Sequence, residues 1–262
     1  MKYIFYIFFL TFFYSHSQSG VINYNSVLNF GNAEPKETAN QLFFNRKYSL
    51  YQTSSNDSKE KKTTTDYTYI DENTTGKNIH QKYTNSIPSE YYFSLKTKSF
   101  VCLETAFEKK TFQAYIYKDS LAGKMKWQLE NDFKMISGYR SQKAITRFRG
   151  RNYTAWFSPK IPLPYGPWKL NGLPGLILEA YDDTKEVYFS ASQITIPFDT
   201  QEKLKEPTAG KEITFKAFID KRNQESESII KAIQARLPKG SKTVSTNIKR
   251  KGIELTYEWE EK

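Results

Sequence analysis

Short segments in which apolar and polar residues alternate dominate the chain. Val21 to Val27 shows this pattern near the N-terminus, and a series of similar segments runs from Tyr91 to Phe148. A period of two is typical of strands with one buried face. Because turn-like pieces rather than helices separate these segments, we predict that the strands form an antiparallel sheet.

Two segments are predicted to be helices, and a third returns to the alternating pattern. Ala33 to Phe44 has Pro35 near its start and ends on three large apolar residues, which predicts a short helix. Phe215 to Leu237 places apolar residues at roughly helical spacing and is followed by Pro238, which predicts a long C-terminal helix. Gly252 to Trp259 alternates again and predicts a last strand with one dry and one wet face.

A stiff, apolar segment lies between the predicted strands. Residues 161–175 contain four of the ten prolines and three of the twelve glycines, with large side chains such as Trp168 and Leu173. Proline fixes φ and lacks a backbone donor, so the segment is neither helix nor central strand. We predict a lid that packs over one open end of the sheet. The alternative is a preformed rim that binds a ligand or partner.

Tight turns are predicted at glycines. Gly150 lies at the tip of a hairpin over residues 148–153, where a positive φ is needed. Gly172, Pro174 and Gly175 are predicted turn residues of the lid, with Pro174 and Gly175 at the second and third positions of a type II turn. The predicted fold class is mainly β (α+β): a single curved antiparallel sheet or half-barrel, a long C-terminal helix and the lid.

The N-terminus has the pattern of a cleavable export signal. Lys2 precedes an apolar run from Tyr3 to Tyr14, and Ser15-His16-Ser17 supplies a small-x-small cleavage site. The run is shorter than the roughly 20 residues that span a bilayer. We predict a signal peptide over residues 1–17 and one exported domain over 18–262, located in the periplasm, at the outer membrane or outside the cell. The alternative is a single N-terminal membrane anchor.

Composition adds a requirement for a packed core. Aromatic residues make up 16% of the 262 residues although apolar residues reach only 38%, and so many rings exclude a disordered chain. The only cysteine, Cys102, excludes an internal disulfide and lies in an apolar run that predicts burial. The formal charge is +11, which points to a basic surface.

The central motifs resemble those of a known family. Residues 172–177 read Gly-Leu-Pro-Gly-Leu-Ile, and a spaced block upstream, from Lys143 to Trp168, is also similar to the GLPGLI family of Bacteroidetes. The specific match covers roughly residues 138–180. The resemblance implies an exported envelope protein of uncharacterised activity, encoded near TonB-dependent outer-membrane receptors. Ser141 stands where members often have cysteine, so no role of that cysteine applies here.

Groups for catalysis are scarce in the sequence. After removal of the signal, His80 is the only histidine and lies in a polar segment, so a nucleophile–histidine pair is not expected. No metal site and no cofactor are predicted, because one cysteine and one histidine cannot supply a ligand set. Glu179, Asp182 and Asp183 cluster and leave open a carboxylate-dependent reaction on glycans.

A basic hairpin provides the main candidate surface. By period two, Arg147, Arg149 and Arg151 are expected on one hairpin face, which is either a binding surface or an ordinary solvated face. The candidate ligand- or partner-binding residues are Arg147, Arg149, Arg151, Trp156, Trp168, Leu173, Pro174 and Glu179. Glu179 is expected to pair with one of the arginines.

Three functions remain open at this point. The leading hypothesis is a non-enzymatic binding or accessory module for outer-membrane transport. Its predicted partners are an outer-membrane receptor or envelope protein, or an anionic glycan or lipid head group, and not nucleic acid. The alternatives are a carrier of an apolar ligand in the curved sheet, and an enzyme acting on glycans. The enzyme requires two carboxylates about 5–10 Å apart in an open cleft.

Overall fold

The structure, a computed structural model, describes residues 19–30, 35–54, 63–67, 81–108, 111–234, 250 and 252–260. The predicted signal peptide and His80 lie outside the described residues. Within the described ranges, no helix is both long and apolar enough to cross a membrane.

Strands account for 52% of the described residues. In chain order they are β1 (Gly20–Leu28), β2 (Lys36–Phe44), β3 (Tyr48–Thr53), β4 (Thr63–Tyr67), β5 (Gln81–Asn85), β6 (Glu90–Ser94), β7 (Ser99–Glu108), β8 (Thr111–Asp119), β9 (Gln128–Ile136), β10 (Tyr139–Phe148), β11 (Arg151–Ser158), β12 (Leu176–Asp182), β13 (Val187–Thr195) and β14 (Lys211–Glu212). The helix α1 spans Phe215–Gln234. A turn of 3₁₀ helix, Ala122–Lys124, follows β8.

Twelve strands form one large, curved, open sheet in the order β14-β8-β7-β6-β3-β2-β1-β13-β12-β11-β10-β9. Neighbouring strands run antiparallel except at β14, which pairs with β8 in parallel. The hairpin β4–β5 forms a separate two-stranded sheet. The predicted fold class, a mainly β chain with a curved antiparallel sheet and a helix near the C-terminus, is confirmed.

The period of two in β1 shows why the sheet has two distinct faces. Ile22 and Tyr24 are fully buried in the core on one face, which we call the concave face, while Asn23 and Asn25 point to the other, convex face. The concave face carries the main core, including the buried Cys102, as predicted. Burial of this face is the main stabilising contribution to the sheet.

Part of the convex face is also covered. Leu50, Tyr92 and Val101 form a second apolar cluster there, and Leu204 from the loop after β13 packs against it. Phe198 of the same loop lies with its ring centroid 6.2 Å from that of Phe43. The loop therefore shields the apolar part of the convex face and leaves the neighbouring polar part open.

The helix α1 packs on the end of the sheet formed by β7 and β8. Thr214 caps it, since its hydroxyl accepts a hydrogen bond from the backbone N–H of Ala217 at 3.2 Å. Phe215 and Phe218 stack on Tyr117, with ring centroids 4.8 and 4.9 Å away. The predicted start of the helix is confirmed; its predicted end at Leu237 lies outside the described residues.

Two of the predicted elements are wrong. Ala33 to Phe44 is not a helix, because Lys36–Phe44 forms β2 and pairs along its length with β1 and also with β3. Sheet pairing overrides the local helical features. Gly252–Trp259 is not a strand either, since residues 252–260 form bends and a turn. Glu254 was expected on the face exposed to water, but its side chain is buried.

The lid of residues 161–175 packs down onto the core, as predicted, but its turns differ from the prediction. Gly172 has φ +94°, whereas Gly175 does not adopt a positive φ, so the predicted type II turn is wrong. Gly175 is required for a different reason: a Cβ there would lie 2.3 Å from the carbonyl oxygen of Ser158. Pro174 beside it is exposed.

Gly175→Ala should therefore lower the free energy of unfolding by about 3 kcal/mol, the upper range for overpacking against a rigid neighbour. Urea denaturation followed by circular dichroism measures the change. Pro174→Ala, at the exposed adjacent position, is the control and should cost no more than about 1 kcal/mol. Equal stabilities of the two variants would contradict the close-approach argument.

Candidate functional site

A pocket of about 200 Å³ lies on the concave face, where β1 ends, β2 begins and β3 ends. We call it the concave pocket. Its lining includes the aromatic side chains of Tyr51, Tyr91, Trp168 and Phe189, polar side chains such as those of Ser26 and Asn40, and the charged Lys36. The strands β1, β2, β3, β6 and β13 and the lid all contribute residues, so the pocket depends on the assembled sheet.

A hydrogen-bonded group fixes the polar side of the concave pocket. The Asn40 amide donates to the Ser26 hydroxyl at 2.7 Å, and Ser26 is hydrogen-bonded to the Tyr51 hydroxyl at 3.1 Å. The Asn40 carbonyl oxygen accepts from the backbone N–H of Ser54 at 3.2 Å. Burial raises the pKa of Tyr51 well above its usual value, so its hydroxyl stays protonated at neutral pH. The group is therefore neutral and held in place.

Trp168 brings the lid to the concave pocket in an unusual conformation. Its φ is +54°, which is rare for a bulky residue and costs conformational energy. Asn171 anchors the lid, because its amide donates to the carbonyls of Ala122 and Lys169 at 2.9 and 2.7 Å. The indole N–H of Trp127 donates to the Asn171 carbonyl at 2.7 Å. The anchored backbone holds the Trp168 ring against the pocket.

The rest of the lid fills the core. Leu163, Tyr165, Leu170 and Leu173 are buried, with Leu173 only 1% exposed. The lid therefore packs into the core on the concave face, and Trp168 is its residue at the concave pocket.

A group of buried charges lies beside the lid, and we call it the buried ion cluster: Arg149, Lys169, Asp119 and Glu254. The Lys169 ammonium is 3.0 Å from carboxylate oxygens of both Asp119 and Glu254. The Arg149 guanidinium donates to Asp119 at 2.6 Å and to Glu254 as well. Two cations thus bridge two carboxylates at a place from which water is excluded.

The charges within the cluster determine its protonation. Burial by itself raises the pKa of the Asp119 carboxyl, but the nearby charges of Lys169 and Arg149 outweigh it, so the pKa lies well below the usual value. The pKa of Glu254 is lowered by the same two cations against the same effect of burial. Both carboxylates are ionised at neutral pH and act as acceptors, not as proton donors.

A second buried ion pair lies at the neighbouring end of the same hairpin. The Arg151 guanidinium donates to Asp182 at 2.6 Å and to the carbonyl of Gly252 at 2.6 Å. The backbone carbonyl of Arg149 accepts from the N–H of Leu255 at 2.9 Å. The β10–β11 hairpin therefore holds the C-terminal segment 252–260 against the core.

The expected basic face of this hairpin is not formed. Arg149 and Gly150 both have positive φ, at +44° and +84°, so they make the two-residue turn and confirm the predicted role of Gly150. The turn resets the alternation, and Arg151 faces Phe148 across the hairpin while Arg147 faces Asn152. Arg147 is exposed, whereas Arg149 and Arg151 are buried, so the expectation of one shared exposed surface was wrong.

Trp156 and Glu179 lie elsewhere, as direct neighbours on β11 and β12. Glu179 pairs with Lys134 at 2.7 Å and not with an arginine, and the Lys134 ammonium lies 4.4 Å from the Trp156 ring centroid. The carboxylates that are clustered in the sequence also have different partners in the structure. Asp182 is buried against Arg151, while Asp183 is exposed and accepts from Asn152. Among the described residues, no group of three or more potential metal ligands is found.

Sequence reasoning missed most of the residues that matter here. Ser26 and Asn40 are polar residues at buried positions of β1 and β2, and the mistaken helix over residues 33–44 obscured this signal at Asn40. Lys169 follows Trp168 within an apolar segment, and that isolated charge was the available sign of a buried ion pair. Its partner Glu254 lies 85 positions away and gives no local signal.

Comparison with known proteins identifies a family that matches this chain. Residues 49–218, more than half of the chain, match the family described as "N-glycanase peptide, N-terminal domain". The chain belongs to this N-glycanase N-terminal domain family. Among curated proteins none matches the chain.

Solved structures share the fold of this N-glycanase-family domain. A crystal structure of PNGF-II matches with a TM-score of 0.53 and 14% sequence identity over 79% of this chain. A second crystal form of PNGF-II gives a TM-score of 0.52 at the same identity. The chain spans only about a third of the length of these structures, 34% and 33%.

These findings correct two expectations. The family match is to the N-glycanase domain, so the assignment to the GLPGLI family was wrong. The expectation that the chain is not an enzyme was also wrong at the level of family, because the family is named for an N-glycanase. The expected link to outer-membrane transport was inferred from the GLPGLI resemblance and loses that basis.

Glu254→Gln should lower the free energy of unfolding at pH 7 by roughly 3–5 kcal/mol, because it leaves Lys169 and Arg149 undercompensated in the core. The lowered pKa values of Asp119 and Glu254 mean that their stabilisation is complete above the unfolded-state carboxyl pKa, about 4, and is lost at lower pH. Urea titrations across pH should therefore show a weaker acid dependence in the variant.

The exposed Glu202→Gln serves as the control and should change stability by less than about 1 kcal/mol, since it removes only a surface ion pair with Lys205. Wild-type stability in Glu254→Gln would show that the buried ion cluster does not stabilise the fold.

Proposed function

We propose that the protein binds N-linked glycans and takes part in their enzymatic removal, with the concave pocket as a sugar-binding subsite. The observation that carries this proposal is the neutral Asn40–Ser26–Tyr51 group beside the Trp168 and Tyr91 rings. A sugar ring has apolar faces that pack on aromatic rings and hydroxyls that require hydrogen bonds. Membership of the N-glycanase N-terminal domain family supports the same ligand class.

The shape of the concave face favours this ligand over an apolar one. The protein's own aromatic side chains and the lid residues form the packed core on that face. The remaining volume of about 200 Å³ is below the roughly 300 Å³ at which common small-molecule pockets begin. A single sugar ring suits a small pocket with fixed polar groups, whereas a long acyl chain does not.

We assign the binding step to this chain and propose the activity only for the system to which it belongs. The chain covers about a third of PNGF-II, and the described lining of the concave pocket contains no carboxylate. Asp119 and Glu254 are close together but held in the buried ion cluster, so they do not provide the open carboxylate pair of a glycosidase. We also propose that this chain binds its glycoprotein substrate outside the cytoplasm, because residues 1–17 have the pattern of an export signal.

Tyr51→Phe should weaken binding of an N-glycosylated peptide by about threefold to tenfold, the effect of removing one hydrogen-bonding group from the site. Calorimetric titration with the glycopeptide and with the same peptide lacking its glycan measures this. Tyr48→Phe is the matched control on the convex face and should bind as the wild type does. Mass spectrometry of the peptide after incubation reports whether the glycan is released.

Binding of the glycosylated and the bare peptide with equal affinity would refute the proposal. So would identical affinities of Tyr51→Phe and Tyr48→Phe, since the concave pocket would then not be the site.

A further inference from the structure

A row of polar side chains crosses the open part of the convex face at right angles to the strands. It consists of Gln193 on β13, Asn23 on β1, Gln41 on β2, Gln52 on β3 and Glu90 on β6. Each is the direct cross-strand neighbour of the next. We call these five residues the amide row, because four of them carry amides.

Hydrogen bonds within the amide row run in two opposite directions. Gln41 donates to Asn23 at 3.0 Å, and Asn23 donates to Gln193 at 3.1 Å. Gln52 donates the other way, to Glu90, at 2.8 Å. The two central amides, Gln41 and Gln52, thus donate away from each other. Among the described residues, none donates to their carbonyl oxygens, so the centre of the row presents two free acceptors.

A groove of about 580 Å³ lies over the three central members of the amide row, Asn23, Gln41 and Gln52, while the end residues Gln193 and Glu90 are not part of its lining. Hydroxyls of Thr53, Ser54 and Ser192 join the amides in its lining. Ser192 is the extra residue of a β-bulge, since Asn23 pairs with Gln193 and the next residue of β1 pairs with Ala191. Bulges commonly redirect side chains near functional sites. No charged side chain is found among the groove's described lining residues, although the chain as a whole carries +11. The groove therefore suits a neutral, hydrogen-bonding ligand.

The groove and the concave pocket meet at one edge. Asn40, Thr53 and Ser54 line both of them. These residues lie where β3 ends, so a ligand longer than one sugar can extend from the concave pocket around the sheet to the convex face.

We infer that the amide row is a second subsite that binds further sugars of a neutral oligosaccharide whose first sugar occupies the concave pocket. The inference rests on the proposed function for its ligand class. Sugar hydroxyls and acetamido N–H groups supply the donors that the Gln41 and Gln52 carbonyls lack. The amides' N–H groups can in turn donate to sugar oxygens.

The test compares N-acetylglucosamine with its linear tetramer in calorimetric titrations. The wild-type protein should bind the tetramer about tenfold more tightly, since the longer sugar gains hydrogen bonds at the amide row. The double variant Gln41→Leu/Gln52→Leu should lose that gain while its affinity for the monomer stays within about twofold. Gln128→Leu/Gln201→Leu, at exposed positions away from the groove, should retain both affinities. Thermal unfolding confirms that each variant is folded.

The outcomes separate the two proposals. Equal affinity of the wild type for monomer and tetramer, or a retained gain in Gln41→Leu/Gln52→Leu, overturns the second subsite and leaves the concave pocket standing. Absence of binding for both sugars overturns the proposed function together with this inference. Affinity for the tetramer that falls steeply with added salt would point to ionic binding elsewhere and also overturn the subsite.

Discussion

The pairing of Arg149 and Lys169 with Asp119 and Glu254 is the interaction on which the rest of the structure depends. Its four members come from the end of β8, the β10–β11 turn, the lid and the C-terminal segment, so one cluster joins four distant parts of the chain. Each ion is costly to bury alone and acceptable only with its partners present. The cluster therefore specifies where the lid and the C-terminal segment lie, whatever net free energy it contributes.

The position of Trp168 follows from that constraint. Lys169 must reach the cluster, and Asn171 must reach Ala122, so the backbone between the strands has little freedom. Trp168 accepts a positive φ under these two restraints and faces the concave pocket. A rigid aromatic ring next to a fixed hydroxyl–amide group loses little entropy when a ligand binds. The ion cluster thus helps to hold Trp168 at the proposed sugar subsite without touching the proposed ligand.

The sequence was sufficient for features governed by local periodicity, and insufficient for those governed by distant partners. Alternation predicted β1 and the run of strands after Tyr91, and Gly150 identified the hairpin tip. The same alternation gave a wrong prediction across the turn. The two-residue turn places Arg147 and Arg151 on opposite faces of the hairpin, whereas a period of two places them on the same face. Glu254 was expected on a face exposed to water. Its buried partners lie on other elements, so nothing in the local sequence indicated that it is buried. The concave pocket was not predicted, because it forms only when strands that are distant in sequence meet the lid. The family was assigned wrongly from motifs within roughly residues 138–180, whereas the match over residues 49–218 identifies it.

The strand order also implies that distant parts of the chain must pair for the sheet to form. β1 pairs with its neighbour β2 and with β13, whose partner residues lie about 170 positions later in the chain. The sheet thus consists of a late half, β9 to β13, and an early half, β1 to β3 and β6 to β8, to which the short β14 is added, and the halves join along the β1–β13 seam. Such long-range pairing is slow, and the edge of β1 stays unpaired until most of the chain is present. Both the concave pocket and the amide row cross this seam, through Phe189 and Gln193. Formation of the concave pocket and of the amide row therefore requires the completed sheet.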